Sequence, residues 1–152
     1  MFLAPRWISS RMEIWKKVFR REEKDVLEEL GKVRERLRVA YAKLLIARRF
    51  ATDREVRRTM LMTAAFTGNV FLTPDALGQV YVKSCVAELK KASKKLRKIA
   101  RREELDEVVK LQLESLASML VEPEENIPKL SRLIADAERT LDAIVASLSG
   151  VF

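Results

Sequence analysis

Residues 6–50 read RWISSRMEIWKKVFRREEKDVLEELGKVRERLRVAYAKLLIARRF, and the fold is decided by this stretch. Stepping from Ile8 by fours and threes meets Ile8, Met12, Trp15, Phe19, Glu22, Val26, Leu30, Val33, Leu37, Ala40, Leu44 and Ala47, all apolar except Glu22. An apolar residue roughly every 3.5 positions marks the seam of a helix packed lengthwise, as in a coiled coil. The stretch contains no proline and one glycine, Gly31. As a single helix it would be about 66 Å long, at about 1.5 Å per residue. A compact chain of this size has a radius of gyration of only about 15 Å, so such a helix is expected to project or to pair along its length. A straight helix and one broken at Gly31 are both compatible with the sequence.

The remaining chain repeats this geometry. Thr52-Asp53-Arg54-Glu55 reads as a capping box that opens a second helix over 53–66, which Thr67-Gly68-Asn69 stops. Val70, Phe71 and Leu72 are apolar residues within a connection, expected to plug into the core or into a neighbouring subunit. Thr73-Pro74-Asp75 combines a threonine cap, a proline in the first turn and an early acid. The seam that follows is Val82, Cys85, Leu89, Ala92, Leu96 and Ile99. No glycine or proline separates it from a further seam at Leu105, Val109, Gln112, Leu116 and Met119, so 74–121 reads as one long helix or two kinked ones. Glu122 to Pro128 is a loop, and a last helix over 128–149 carries Leu130, Ile134, Ala137, Leu141, Ile144 and Leu148. The expected fold is all-α. It is an elongated helical bundle of four to five helices in a single domain, with a long N-terminal helix and coiled-coil-type seams. Within that helix, residues 6–24 either dock or extend as an arm.

Composition argues against most chemistry. There is no histidine, which removes Ser-His and Cys-His catalysis and histidine metal sites. Cys85 is the single cysteine and lies on an apolar stripe, so it reads as a core residue that forms no internal disulfide. No glycine-rich phosphate loop, C-x-x-C or dinucleotide fingerprint occurs. The acid pairs Glu103-Glu104 and Glu124-Glu125 are adjacent, so they point to different faces of a helix. Glu103 and Glu107 share a face but have no histidine partner. The expectation is a protein that is not an enzyme, with no catalytic residues, no metal, no cofactor and no small-molecule substrate. Arg6, Arg11 and Glu13 interrupt any signal-peptide core, and no apolar run is long enough to span a bilayer. The sequence therefore suggests an intracellular protein, or a virion component if viral, neither secreted by a signal peptide nor transmembrane.

Charge is the informative signal. Residues 1–102 hold 26 Lys/Arg against 11 Asp/Glu, whereas residues 103–152 hold 4 against 11. The densest positive segment is Lys90 to Arg102, with eight cations in thirteen residues and no acid. Like charges at i,i+4 repel by roughly 0.2–0.5 kcal/mol per pair, so a face built this way suits a polyanion. Residues 6–24 separate Trp7, Ile8, Met12, Ile14, Trp15, Val18 and Phe19 from Arg6, Lys16, Lys17, Arg20, Arg21 and Lys24. That pattern fits docking on a core or a second copy, lying along nucleic acid, or resting on a membrane surface. The candidate nucleic-acid-binding residues are Lys16, Lys17, Arg20, Arg21, Arg34, Arg38, Arg48, Arg49, Arg54, Arg57, Arg58, Lys90, Lys91, Lys94, Lys95, Arg97, Lys98, Arg101 and Arg102. The candidate assembly or membrane contacts are Trp7, Ile8, Met12, Trp15, Phe19 and Phe71.

These features lead to an expected self-assembling, nucleic-acid-binding structural protein, a homo-oligomer or a partner of related helical subunits. Its many dispersed cations would contact the DNA or RNA backbone without reading bases. Nucleocapsid-type helical proteins and small helical subunits of ribonucleoprotein complexes fit that description. The amphipathic start, basic helices and acidic C-terminal third also resemble, in charge layout and helix order, the filament-forming membrane-remodelling proteins of the ESCRT-III type. That resemblance implies a scaffold on an anionic membrane surface. A third expectation is a helical-bundle subunit of a larger protein or ribonucleoprotein complex whose cations pair with an acidic partner.

Overall fold

The computed structural model describes the backbone of residues 6–149 and the side chains of residues 25–149. Five α-helices follow one another, and no strand occurs among the described residues. They are α1 (Arg6–Thr52), α2 (Arg54–Thr67), α3 (Pro74–Ala100), α4 (Glu107–Leu120) and α5 (Ile127–Leu148). A single 3-10 turn, Val70–Leu72, lies between α2 and α3. The protein is an all-α helical bundle.

Four of these helices form a ring in the order α1, α3, α4, α5, each packed on the next. Their directions alternate. The Phe50 and Tyr81 rings meet at 5.7 Å, Lys43 reaches Glu88 and Glu29 reaches Lys95, so α3 runs antiparallel to α1. Arg34 pairs with Asp142 at 3.2 Å, while Arg48 near the end of α1 shares a cleft with Ile127 and Pro128 at the start of α5. Hence α5 is antiparallel to α1 as well. The core is made of the seam residues: Val26, Leu30, Val33, Leu37, Ala40, Leu44 and Ala47 of α1 face Cys85, Leu89, Ala92 and Leu96 of α3, with Leu130, Ile134, Ala137, Leu141 and Ile144 of α5 in the same cluster. Burial pushes the Cys85 thiol up to about 11, which keeps it protonated and unreactive, despite the lowering influence of Lys43.

α1 passes through Gly31 without interruption. It also runs two residues past Phe50, and this moves the expected cap. Thr52 is still helical and spends its hydroxyl on the Arg48 carbonyl at 2.8 Å. Asp53 caps α2 instead, its carboxylate accepting from the amides of Glu55 and Val56 at 3.1 and 3.3 Å. α2 ends at Gly68, whose φ of 66° is the left-handed conformation that a residue with a Cβ resists. Thr73 caps α3 by accepting from the Ala76 amide.

Two further expectations need correction, and one open alternative is resolved. Val70 and Phe71 do not plug into the bundle; both are exposed, because Asn69 closes a tight 3-10 turn that holds them at the surface. Of the two alternatives for 74–121, the chain takes two helices, separated by a six-residue turn over 101–106 that contains neither glycine nor proline. Burying Leu105 in the core anchors that turn. The seam of α4 is also re-phased. Asp106 restarts the helix, so Val109, Leu113, Leu116 and Leu120 point inward, while Gln112 and Met119 are exposed. Between α3 and α4 the buried Ser93 donates to the Ala117 carbonyl at 2.7 Å, so its polar group costs nothing in the core. Among the described residues no helix is long and apolar enough to cross a membrane.

Candidate nucleic-acid interface

Because α1 and α3 lie side by side, their polar edges meet above the seam. Glu29, Arg36 and Lys43 recur every seventh position on α1, each preceding a seam leucine (Leu30, Leu37, Leu44). Glu88 and Lys95 are seven residues apart on α3, and Arg102 follows at the same interval in the turn just after it. These are the edge positions of a lengthwise helix pair, where ion pairs form between helices. Glu88 receives Arg36 and Lys43 at 3.4 Å each and Lys91 at 4.0 Å. Glu29 receives Lys95 at 3.2 Å and Lys32 at 3.4 Å. The hydrogen bond from Lys95 holds the Glu29 carboxyl below its ordinary value against a smaller opposing effect of burial. Five cations thus converge on two carboxylates, leaving the shared edge positive.

This network changes how the Lys90–Arg102 segment works. The i,i+4 repulsion between Lys91 and Lys95 is relieved by acids that the segment itself lacks, Glu88 from the preceding turn and Glu29 from α1. Lys95 is largely committed to that role, with its side chain only 24% exposed. Lys90, Lys94, Arg97 and Arg101 are different. They succeed one another at four, three and four residues and so line one stripe of α3. All four are exposed, and among the described residues none is ion-paired. The stripe is about 16 Å long at about 1.5 Å per residue. Lys98 is exposed beside it, and Lys98, Arg101, Arg102, Lys95 and Glu29 surround a shallow cleft of about 280 Å³ at the end of α3. The C-terminal end of the helix dipole lies under Arg97, Lys98 and Arg101 and makes their crowding tolerable.

The other candidates fall elsewhere. Arg34 is taken up by Asp142 on the α1–α5 side. Arg38, Arg48 and Arg49 are exposed along α1, and Arg54 and Arg58 along α2. Arg57 is half-buried and structural, donating to the Phe50 carbonyl at 2.9 Å and to Asp75 at 3.1 Å, which ties α2 to the ends of α1 and α3. Lys16, Lys17, Arg20 and Arg21, together with Trp7, Ile8, Met12, Trp15 and Phe19, lie outside the residues whose side chains are described. Sequence reasoning missed Lys32, Arg36 and Lys43 as neighbours of the α3 cations. The seven-residue spacing beside the seam was the available signal for Arg36 and Lys43, and the i,i+3 spacing from Glu29 for Lys32. No group of three or more potential metal-ligating residues occurs among the described residues.

The fold and this surface define a helical-bundle protein with a cation-rich face on α1 and α3. Comparison of the chain with protein-family models, curated proteins and solved structures finds no match in any of the three.

Proposed function

We propose that this chain is a non-enzymatic, self-assembling structural protein that holds DNA or RNA by its phosphate backbone, in the manner of a nucleocapsid or nucleoprotein. The observation that carries this reading is the exposed stripe Lys90, Lys94, Arg97 and Arg101, which among the described residues has no carboxylate partner. A straight row of cations suits a linear polyanion, since one strand of a duplex presents a phosphate about every 3.4 Å of axis. The row holds no Asn or Gln at its positions, so it offers charge rather than paired donors and acceptors for base edges.

The test is binding of a labelled DNA duplex and a single-stranded RNA at about 50 and 200 mM salt, a range over which several phosphate contacts lose much of their affinity. Reversing Lys90, Lys94, Arg97 and Arg101 to glutamate should weaken binding and flatten the duplex salt slope by about 3.6, near 0.9 for each lost contact. Binding that ignores these changes overturns the assignment to α3. Anionic vesicles bound in preference to either nucleic acid would favour the membrane-scaffold reading. Binding to neither would favour the subunit of a larger complex.

A further inference from the structure

We propose that the apolar cap formed by α2 and the 3-10 turn is the surface through which two copies of this chain associate. α2 is a 14-residue helix whose only buried residue is Ala64. Helices of that length are marginal alone, and packing supplies most of their stability, so the bundle leaves α2 under-supported. Meanwhile Leu61 and Met62 are 48% and 63% exposed, Phe66 is 96%, and Val70 and Phe71 are 75% and 81%. Met62 and Phe66 share one face of α2 at i,i+4, and Leu61 lies further round the helix. With Val70 and Phe71 they expose on the order of 600 Å² of apolar surface in all, the scale of the largest patch on a monomer. With its threonine rim, that approaches the roughly 800 Å² per partner of a stable interface.

The chemistry of the cap selects the occupant. From Thr59 to Pro74 there is no Asp, Glu, Lys or Arg, the longest uncharged run in a chain of net charge +8. Copies that repel one another elsewhere can approach at this neutral surface. A nucleic acid or an anionic headgroup would need cations here. The nearest in sequence on α2, Arg58, borders the cap one turn, about 6 Å, before Met62 and lies about 12 Å along the helix from Phe66, so positive charge flanks one edge of the cap and does not enter it. Three threonine hydroxyls of the cap are already used internally. Thr63 donates to the Thr59 carbonyl, Thr67 to that of Thr63 and Thr73 to that of Val70, at 2.9, 2.8 and 3.0 Å. Water can therefore leave these three threonines without stranding their hydroxyls.

The proposal specifies the self-association half of the function above and is independent of its nucleic-acid half. Its test is sedimentation equilibrium of the nuclease-treated full chain in about 0.5 M salt, which removes bridging polyanions and screens repulsion. The wild type should form a dimer. Phe66→Ser with Phe71→Ser should keep the helical circular dichroism and raise the dissociation constant about a hundred-fold, ten-fold per ring. Should that pair disturb folding, Met62→Lys places one charge in the cap and must also dissociate the dimer. A wild type that is monomeric at about 100 μM, weaker than any functional micromolar interface, overturns the proposal. So does a variant that dimerises as the wild type does, which would place the interface elsewhere. Neutral phosphatidylcholine vesicles that bind a monomeric wild type, but not the variant, would make a lipid surface the occupant and overturn it too. Failure of the nucleic-acid reading leaves each of these outcomes unchanged.

Discussion

Lys95 of α3 reaches Glu29 of α1 with its Nζ 3.2 Å from Oε2, joining the two helices at the end where the basic stripe emerges. Further along the same edge, Glu88 collects Arg36, Lys43 and Lys91. Two carboxylates therefore set how much of the positive charge on this face is spent within the fold and how much is left to meet a partner.

Glu29 makes stability depend on pH. Its folded-state pKa is lowered from 4.5, first by the Lys95 hydrogen bond, so its contribution is complete above that value and is lost as pH falls through the folded pKa. Thermal melts of wild type and Glu29→Gln should differ at neutral pH and converge in acid, once the pH has fallen below the lowered folded-state pKa of Glu29. Equal melting temperatures at neutral pH would show that the pair adds no net stability.

Glu88→Gln should move stability and binding in opposite directions. Three cations lose their shared anion, which is expected to cost about 1–2 kcal/mol in chemical denaturation. The same change leaves Arg36, Lys43 and Lys91 available to a polyanion, so nucleic-acid affinity should rise and its salt dependence steepen. An affinity that falls along with stability would argue that this edge does not face the nucleic acid.

Ser93 occupies a place where α3 and α4 come close, and its hydroxyl serves the Ala117 carbonyl. Ser93→Ala should cost about 1 kcal/mol, the ordinary net value of one hydrogen bond. Ser93→Leu should cost more, about 1–3 kcal/mol or above, because it forces the two helices apart. Urea unfolding midpoints would rank the three proteins.

Gly31 sits inside α1 with open space around the position of an added Cβ, nothing lying within 4 Å. Gly31→Ala should therefore stabilise the protein by about 0.5–1 kcal/mol, by restricting the unfolded chain and favouring the helix. A destabilised variant would mean that the helix needs to bend there.

The register of α4 can be checked by a pair of substitutions two residues apart. Leu113 is fully buried and Leu111 is 67% exposed. Leu113→Ala should cost about 2–5 kcal/mol, while Leu111→Ala should stay within about 0.5 kcal/mol. Equal costs would contradict the inward face described for this helix.

Periodicity within one chain segment was enough to specify the all-α class, the buried faces of α3, α5 and the part of α1 from Val26 onward, and the threonine cap of α3. Each of these is decided by residues within a few turns of one another, where helical geometry dictates which side chains share a face. The count of charges likewise marked α3 as the basic helix. Three matters required the tertiary structure. Where α3 ends depends on Leu105 finding a place in the core, and the phase of α4 resets with it, so a seam extrapolated through that turn names Gln112 and Met119 wrongly. Whether Val70 and Phe71 are buried depends on what packs over them, and the bundle does not reach that far. Which cations remain free depends on acids from another helix, since Glu29 neutralises Lys95 across sixty-odd residues of chain. Local pattern fixes which face a side chain occupies, whereas the partner on that face is supplied by whichever distant segment the packing brings beside it.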